Sequence, residues 1–359
     1  MGGNVIGLDI GHSAVRAVEL STDGTYVSSA SQVLPADAVV GGQLRNPAAV
    51  TAAVSELWSA KKRFSHKNVK LSVSNSSVII RLADQLEWVP GEAMRKTLPF
   101  QVKDHLPVPV EETYLDFYPV SETAPNGNGA RTAEVLLVAA KRDMVNGFTD
   151  AVAAAGVKPL AVDISPLAVL RANLTNVQRD GNAEVVVHIG ADVVNVIVHR
   201  GGVPVYVRVL PSSGSRHISE SIAAALNVSV ADAEQLKIST GLTAAVPAPV
   251  GAGDGYSAGS TEGIVAGVVD SKASALINEV RTSLDFIRSH HVSVPAPTAV
   301  VLAGGGARLN GLGQRMASEL QLPVSFLDMS ASVAGLPQPT SAVDVDWSTA
   351  VGIALGGTR

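Results

Sequence analysis

The amino-acid sequence predicts an α/β protein built from two similar halves that face each other, and three observations predict it. Residues 7–20 read GLDIGHSAVRAVEL, which is a strand, a tight glycine turn and a second alternating strand. Residues 186–199 read VVHIGADVVNVIVH and repeat that pattern, with Gly190 falling on Gly11, Ile189 on Ile10, Val194 on Val15 and Ile197 on Val18. Further strand-like sequence follows each copy, TYVSSASQVL after the first and VPVYVRVL after the second, and the copies start about half a chain apart.

Composition narrows the class. A chain of 359 residues with 46% hydrophobic and 16% charged residues has ample core for two domains. A formal net charge of -5 argues against a nucleic-acid surface and against tight electrostatic attraction to a membrane. With no cysteine there is no disulfide, thiolate zinc site or cysteine nucleophile, which fits a reducing cytoplasm. MGGNVI lacks a secretory pattern and has Ile where a myristoylation signal wants Ser or Thr. No apolar run approaches the ~20 residues that span a bilayer, and ALGGTR at the end carries no basic amphipathic helix. The expectation is a cytoplasmic protein that meets a membrane only through a partner.

The glycine turns carry the chemistry. Where a turn has no Cβ, its backbone N–H groups can close on phosphate oxygens; the first stretch alone leaves open whether it is a plain glycine hairpin or a phosphate cradle with Asp9 serving a metal ion. A single hairpin of this kind is most often a plain hairpin; a matched pair facing each other favours a phosphate cradle. Residues 299–313 read AVVLAGGGARLNGLG: a buried strand, three glycines and a helix start, where backbone and helix N-terminus favour negative charge. The glycines match neither the Walker sequence nor the dinucleotide fingerprint. In ADAEQLKIS (231–239), Glu234 and Lys237 share one helix face, as a surface ion pair or as a grip on ribose hydroxyls, and spacing alone favours the ion pair.

The remaining segments carry less. GEAMRKTLPFQVKDHL has helical apolar spacing with a bend expected at Pro99. PNGNGAR (125–131) reads as a loop between strands, and residues 243–262, rich in Ala, Gly, Pro and Ser, as a mobile surface loop. His290 and His291 diverge on a helix and make a poor metal pair, and His105 and His217 are isolated.

Together these stretches resemble the actin-like ATP-binding superfamily of actin, DnaK-type chaperones, sugar kinases and FtsA. GLDIGHSAVRAVEL looks like its first phosphate loop, VVHIGADVVNVIV like the second and VVLAGGGARLNGL like the adenosine loop. AVDISPLAVLRANL (161–174) and STAVGIALGG (348–357) look like its two connecting helices. Within the superfamily the chain is most similar to the PilM family of type IV pilus assembly. PFQVKDHLPVPVEETYLDFYPV (99–120) resembles the subdomain that this family inserts in its first half. VLLVAAKRDMVNGFTDAVAAAGVKPLAVDIS (135–165) continues the match as strand, helix and a Gly-Val-Lys-Pro turn into the connecting helix, and AEQLK and VRTSLDFIRSH follow the same patterns.

The resemblance implies an actin-like ATPase fold of the FtsA and PilM type: two facing, duplicated RNase H-like lobes with a subdomain inserted in the first. The first lobe core would comprise residues 1–78 and 143–180, and the inserted partner-binding subdomain 79–142. The second lobe core would comprise 181–215 and 293–359, with a smaller subdomain at 216–292. ATP would lie between the lobes with Mg²⁺ held largely through water near Asp9. Gly11, His12, Ser13 and Ala14 would meet the phosphates from one side, and Gly190, Ala191 and Asp192 from the other. Gly304, Gly305, Gly306 and Arg308 would pass beneath adenine and the α-phosphate, with Glu234 and Lys237 on ribose and base.

The implied partner is the short cytoplasmic N-terminal peptide of PilN, and through it the PilN/PilO inner-membrane complex, so the protein would sit on the inner face of the cytoplasmic membrane. Self-association is a further expectation of the superfamily. A groove for the peptide is sought among Leu86, Trp88, Met94, Leu98, Val102, Leu106 and Tyr114, by position in the insert, with core packing the competing reading. One departure matters: His188 stands where the family's second phosphate loop usually has an aspartate. Imidazole is a poor Mg²⁺ ligand, so no catalytic residue is assigned and hydrolysis is expected to be slow or absent. The competing readings are an FtsA-like filament-forming ATPase, which would carry a membrane helix, and a sugar-kinase-type phosphotransferase, which would need that aspartate.

Overall fold

The computed structural model describes residues 3–59, 63–89, 91–122, 131–174, 181–242, 260–290, 294–336 and 344–356. The first half opens with β1 (Val5–Ile10), β2 (Ala14–Leu20) and β3 (Tyr26–Val33), then the two-residue strands β4 (Val39–Val40) and β5 (Gln43–Leu44), helix α1 (Pro47–Ser59) and β6 (Asn68–Val73). An insert follows: β7 (Val78–Glu87), α2 (Glu92–Val102), β8 (Thr113–Glu122) and β9 (Thr132–Lys141). The chain returns through α3 (Arg142–Ala154), β10 (Lys158–Ile164) and α4 (Ser165–Asn173). The second half holds β11 (Ala183–Ile189), β12 (Val193–Arg200), β13 (Val203–Pro211), α5 (Arg216–Leu226), α6 (Val230–Thr240), α7 (Thr261–His290), β14 (Pro297–Ala303), α8 (Leu312–Leu320), β15 (Val324–Phe326) and α9 (Ser348–Leu355).

The duplication is structural. One sheet runs β10-β6-β1-β2-β3 and the other β15-β14-β11-β12-β13. In both, the first strand is antiparallel to its hairpin partner and parallel to the strand on its other side. The registers coincide: Asp9 faces Arg16 across the first hairpin, and His188 faces Asn195 at the equivalent place in the second. The run AEVVVHI suits a central strand buried on both faces, which needs β-branched residues without polar alternation. Val185 and Val187 of that run face α5, α6 and α7, whereas Val186 faces the opposite side. On that side α4 and α9 fill the space between the sheets, with Val18, Val169, Ile197, Val351 and Ala354 in one buried cluster.

Three expectations are corrected. The Gly-Val-Lys-Pro turn does not lead into a connecting helix at 161: Lys158–Ile164 form strand β10, and the helix starts only at Ser165. The cause is β6, which pairs with β10 in parallel from Lys158 to Ile164. The glycines at 304–306 do not open an α-helix: Gly305–Arg308 form a single 3-10 turn, and α8 begins at Leu312 after a left-handed Gly311. Four of the proposed groove residues are core. Met94, Leu98 and Val102 recur every four residues along one face of α2 and pack on Leu86, Val135 and Leu137 of the insert's sheet, ordered β7-β9-β8. Helix α2 runs through Pro99 to Val102. The loops expected at 125–131 and 243–262 lie outside the described residues, apart from Arg131 and residues 260–262, where Thr261 opens α7.

Candidate functional site

The paired hairpins put two equivalent turns at the edge of the inter-lobe cleft. In each, the glycine amide donates to a carbonyl three residues on, Gly11 to Ala14 and Gly190 to Val193, both at 3.0 Å. The Ser13 and Ala191 amides make no hydrogen bond among the described residues, so the turns keep donors available for an anion. A Cβ on Gly190 would come within 2.8 Å of the Val193 carbonyl, so this tight form needs glycine.

Below the turns, Asp9 has its carboxyl pushed up to about 6 by burial, against the opposing pull of Arg16. His188, its counterpart, is pushed down to about 4 by burial and by the Arg16 charge, so it is a neutral imidazole. Its Nδ1 lies 3.4 Å from Asn195 Nδ2 and its Nε2 3.5 Å from Thr349 Oγ1. No group of three His, Cys, Asp or Glu residues arranged to hold a metal ion is found among the described residues. Asp9 alone suits Mg²⁺, which keeps most of its waters and needs one or two carboxylates plus phosphate oxygens.

The glycine triplet is packed against protein on the side a side chain would take. A Cβ on Gly304 would lie 2.5 Å from the Ile189 carbonyl, one on Gly306 2.4 Å from Ile189 Cγ2, and one on Gly305 2.5 Å from Asp346 Oδ1. The glycine loop therefore leans directly on the second hairpin. Asp346, just before α9, takes Arg308 Nη2 at 2.8 Å and Arg16 Nη2 at 4.0 Å, joining the glycine loop to the first hairpin. Lys237 is buried and its Nζ reaches Glu234 Oε2 at 2.7 Å and the Ser215 carbonyl at 3.3 Å. The pair expected on spacing is thus present, with its cation inside the protein.

Asp192 is 4% exposed and its carboxylate is engaged. One oxygen takes Arg216 Nη2 and His217 Nε2, each at 2.8 Å; the other accepts from the Gly41 amide of the opposite lobe. His12 Nδ1 is 3.9 Å from that second oxygen and 2.5 Å from the Val39 carbonyl. Burial acts to raise this carboxyl, but the Arg216 and Gly41 hydrogen bonds and the Arg216 charge outweigh it and lower it from its ordinary value. Ser74 Oγ donates to Asn195 Oδ1 at 2.8 Å, again across the cleft. Arg16, Asp346, Gly41, Arg216, His217, Asn195 and Thr349 were not found as site residues in the sequence. Arg16 sits inside the first motif, and Asp346 and Thr349 flank the start of α9; Gly41 and Arg216 carry no local pattern.

A family model for the type IV pilus assembly protein PilM matches residues 7–250. The chain belongs to the PilM family. A model for the cell division protein FtsA matches residues 185–352. Among solved structures, a PilM-PilN type IV pilus biogenesis complex is similar with 26% identity and a TM-score of 0.81 over 99% of this chain and 98% of that chain. The ethanolamine utilization protein EutJ from Carboxydothermus hydrogenoformans (15% identity, TM-score 0.57, 99% and 90% covered) has a similar fold. So has MreB 5 of Spiroplasma citri bound to AMPPNP (12% identity, TM-score 0.54, 98% and 95% covered). This PilM-family chain therefore has the actin-like ATPase fold. No helix among the described residues is long and apolar enough to cross a membrane.

Proposed function

We propose that this PilM-family protein is an ATP-binding scaffold at the cytoplasmic face of the pilus machinery that docks the N-terminal peptide of PilN. The pairing of the two glycine turns across one cleft carries the reading, with Asp9 beneath the first turn. The Ser13 and Ala191 amides would meet the phosphates from the two sides, Mg²⁺ would sit by Asp9 through water, and Gly304–Gly306 with Arg308 would carry the adenosine. Bound Mg²⁺ would neutralise phosphate charge.

Hydrolysis is slow in this proposal because His188, neutral and engaged with Asn195 and Thr349, offers no carboxylate to orient an attacking water. The similar PilM-PilN complex supports PilN as the partner. We place the peptide at the open edge of β8, where Tyr114 and Tyr118 are 44% and 38% exposed and Arg142 stacks 4.5 Å from the Tyr114 ring. An extended segment can add there as a strand. Phosphate release from Mg-ATP, followed with and without a synthetic PilN N-terminal peptide, tests the reading. Turnover well below one per minute and saturable peptide binding are expected; rapid transfer of phosphate to a sugar, unaffected by peptide, would overturn the scaffold role.

A further inference from the structure

KKRFSHKNVK (61–70) carries five Lys or Arg, and no Asp or Glu occurs from Leu57 to Ala83, in a chain whose formal net charge is -5. Arg63 and Lys67 are exposed just before β6, and the Lys67 carbonyl accepts the Lys158 amide at 2.7 Å, which brings the exposed start of β10 alongside. Residues 63–67 are held firm. Trp58 Nε1 donates to the His66 carbonyl at 3.1 Å, and Phe64 packs on Trp58 with ring centroids 4.8 Å apart. His66 Nδ1 accepts the Asn68 amide at 3.2 Å, so its Nε2 donates to the Asn4 carbonyl at 2.8 Å.

The acidic groups beside these cations are already engaged. Glu19 is buried and takes Asn4 Nδ2 at 2.6 Å and the Ser65 amide at 3.0 Å. Asp163, the one carboxylate of β10, lies near the other end of that strand and holds Arg171 at 2.9 Å. Among the described residues, Arg63, Lys67 and Lys158 enter no ion pair. The basic patch crosses the end of the sheet, from β10 past β6 to Asn4 at the start of β1. The Gly11 turn is at the other end of β1, roughly 20 Å away at the rise of an extended strand. These cations are therefore out of reach of a nucleotide held at the glycine turns.

We propose that this basic end of the first lobe rests on anionic lipid headgroups of the cytoplasmic membrane surface, so that charge orients the protein there. The proposal rests on the reading that places the chain at the cytoplasmic face of the pilus machinery. Each Lys or Arg close to an anionic bilayer adds to the attraction. The field decays within about 8 Å at physiological salt, so the bilayer meets the patch while acidic groups elsewhere on the protein are screened. An acidic peptide fits less well: a strand added along the open β10 edge would meet Lys158 and leave Arg63 and Lys67 unused.

The test is sedimentation of the full chain, without nucleotide or peptide, with vesicles of phosphatidylcholine and phosphatidylglycerol in equal parts. The wild type should sediment with them at millimolar lipid, stay in solution with phosphatidylcholine alone, and be released at high salt. The triple variant Arg63→Glu, Lys67→Glu, Lys158→Glu should bind these vesicles at least tenfold more weakly. An unchanged thermal midpoint shows that its fold survives. Equal sedimentation of variant and wild type, equal uptake by neutral vesicles, or no uptake of the wild type by anionic vesicles would each overturn the proposal. Capture of the wild type by polyglutamate but not by anionic vesicles would overturn it in favour of an acidic protein segment. Failure of the wild type to bind Mg-ATP or PilN peptide counts against the proposed function alone, because the vesicle assay contains neither.

Discussion

Gly352 of α9 lies against Ala168 of α4 so closely that a Cβ would come within 1.8 Å of the Ala168 carbonyl oxygen. This crossing is where the two helices between the sheets meet, and each is buried along most of its length. A second contact, Arg171 Nη1 to the Gly352 carbonyl at 2.6 Å, locks the same point.

Gly352→Ala should therefore force the helices apart and cost about 3 kcal/mol, at the upper end of ordinary overpacking. Urea unfolding of the variant beside the wild type checks this. An unchanged midpoint would mean that the helices can separate freely.

Asp9 should trade stability for ligand binding. Its carboxyl titrates near 6 in the fold against 3.8 in the unfolded chain, so the protonated form is the one the fold favours. The stabilising effect of that proton is present below pH 3.8 and is lost as pH rises through 6. Asp9→Asn should accordingly raise stability at pH 7 by about 2 kcal/mol, and flatten its pH dependence between 4 and 6. Denaturant titrations across that range give the answer; a destabilised Asn variant would contradict the assigned cause.

Acid should act in the opposite sense through His199. This ring is 0% exposed, and burial pushes it down to about 4 from an ordinary value of 6.5. Protonation thus favours the unfolded chain: the contribution is full above pH 6.5 and disappears as pH falls through 4. His188 adds in the same direction. The loss is at most about 3 kcal/mol for His199, and His199→Gln should make the acid limb shallower by that share. Identical pH profiles for variant and wild type would show that another group governs it.

The insert separates core from docking surface. Met94→Ala opens a cavity in a fully buried cluster and should cost about 3 kcal/mol. Tyr118→Ala, at the exposed β8 edge, should leave the unfolding midpoint within error and weaken PilN peptide binding about tenfold. Fluorescence anisotropy of a labelled peptide measures it. Unweakened binding would move the docking surface elsewhere.

The contrast between hairpins and cross-lobe contacts explains what could be read from the chain alone. Gly11 and Gly190 sit in turns whose hydrogen bonds span three residues, so their pattern is written locally and twice. Strand β10 escaped because Leu160, Ala161 and Val162 are all exposed at the sheet edge and show no alternation. Met94, Leu98 and Val102 had the spacing of a helix face, but spacing does not say what covers it. The Gly41–Asp192 and Arg16–Asp346 contacts join residues far apart in sequence, and no local rule foretells such a meeting.

The most direct measurement is isothermal titration of the full chain with Mg-ATP, repeated with Asp9→Asn. One site per chain is predicted, with affinity falling at least tenfold in the variant when Mg²⁺ is present. A flat isotherm from protein shown to be folded by its cooperative unfolding would contradict nucleotide binding between the hairpins.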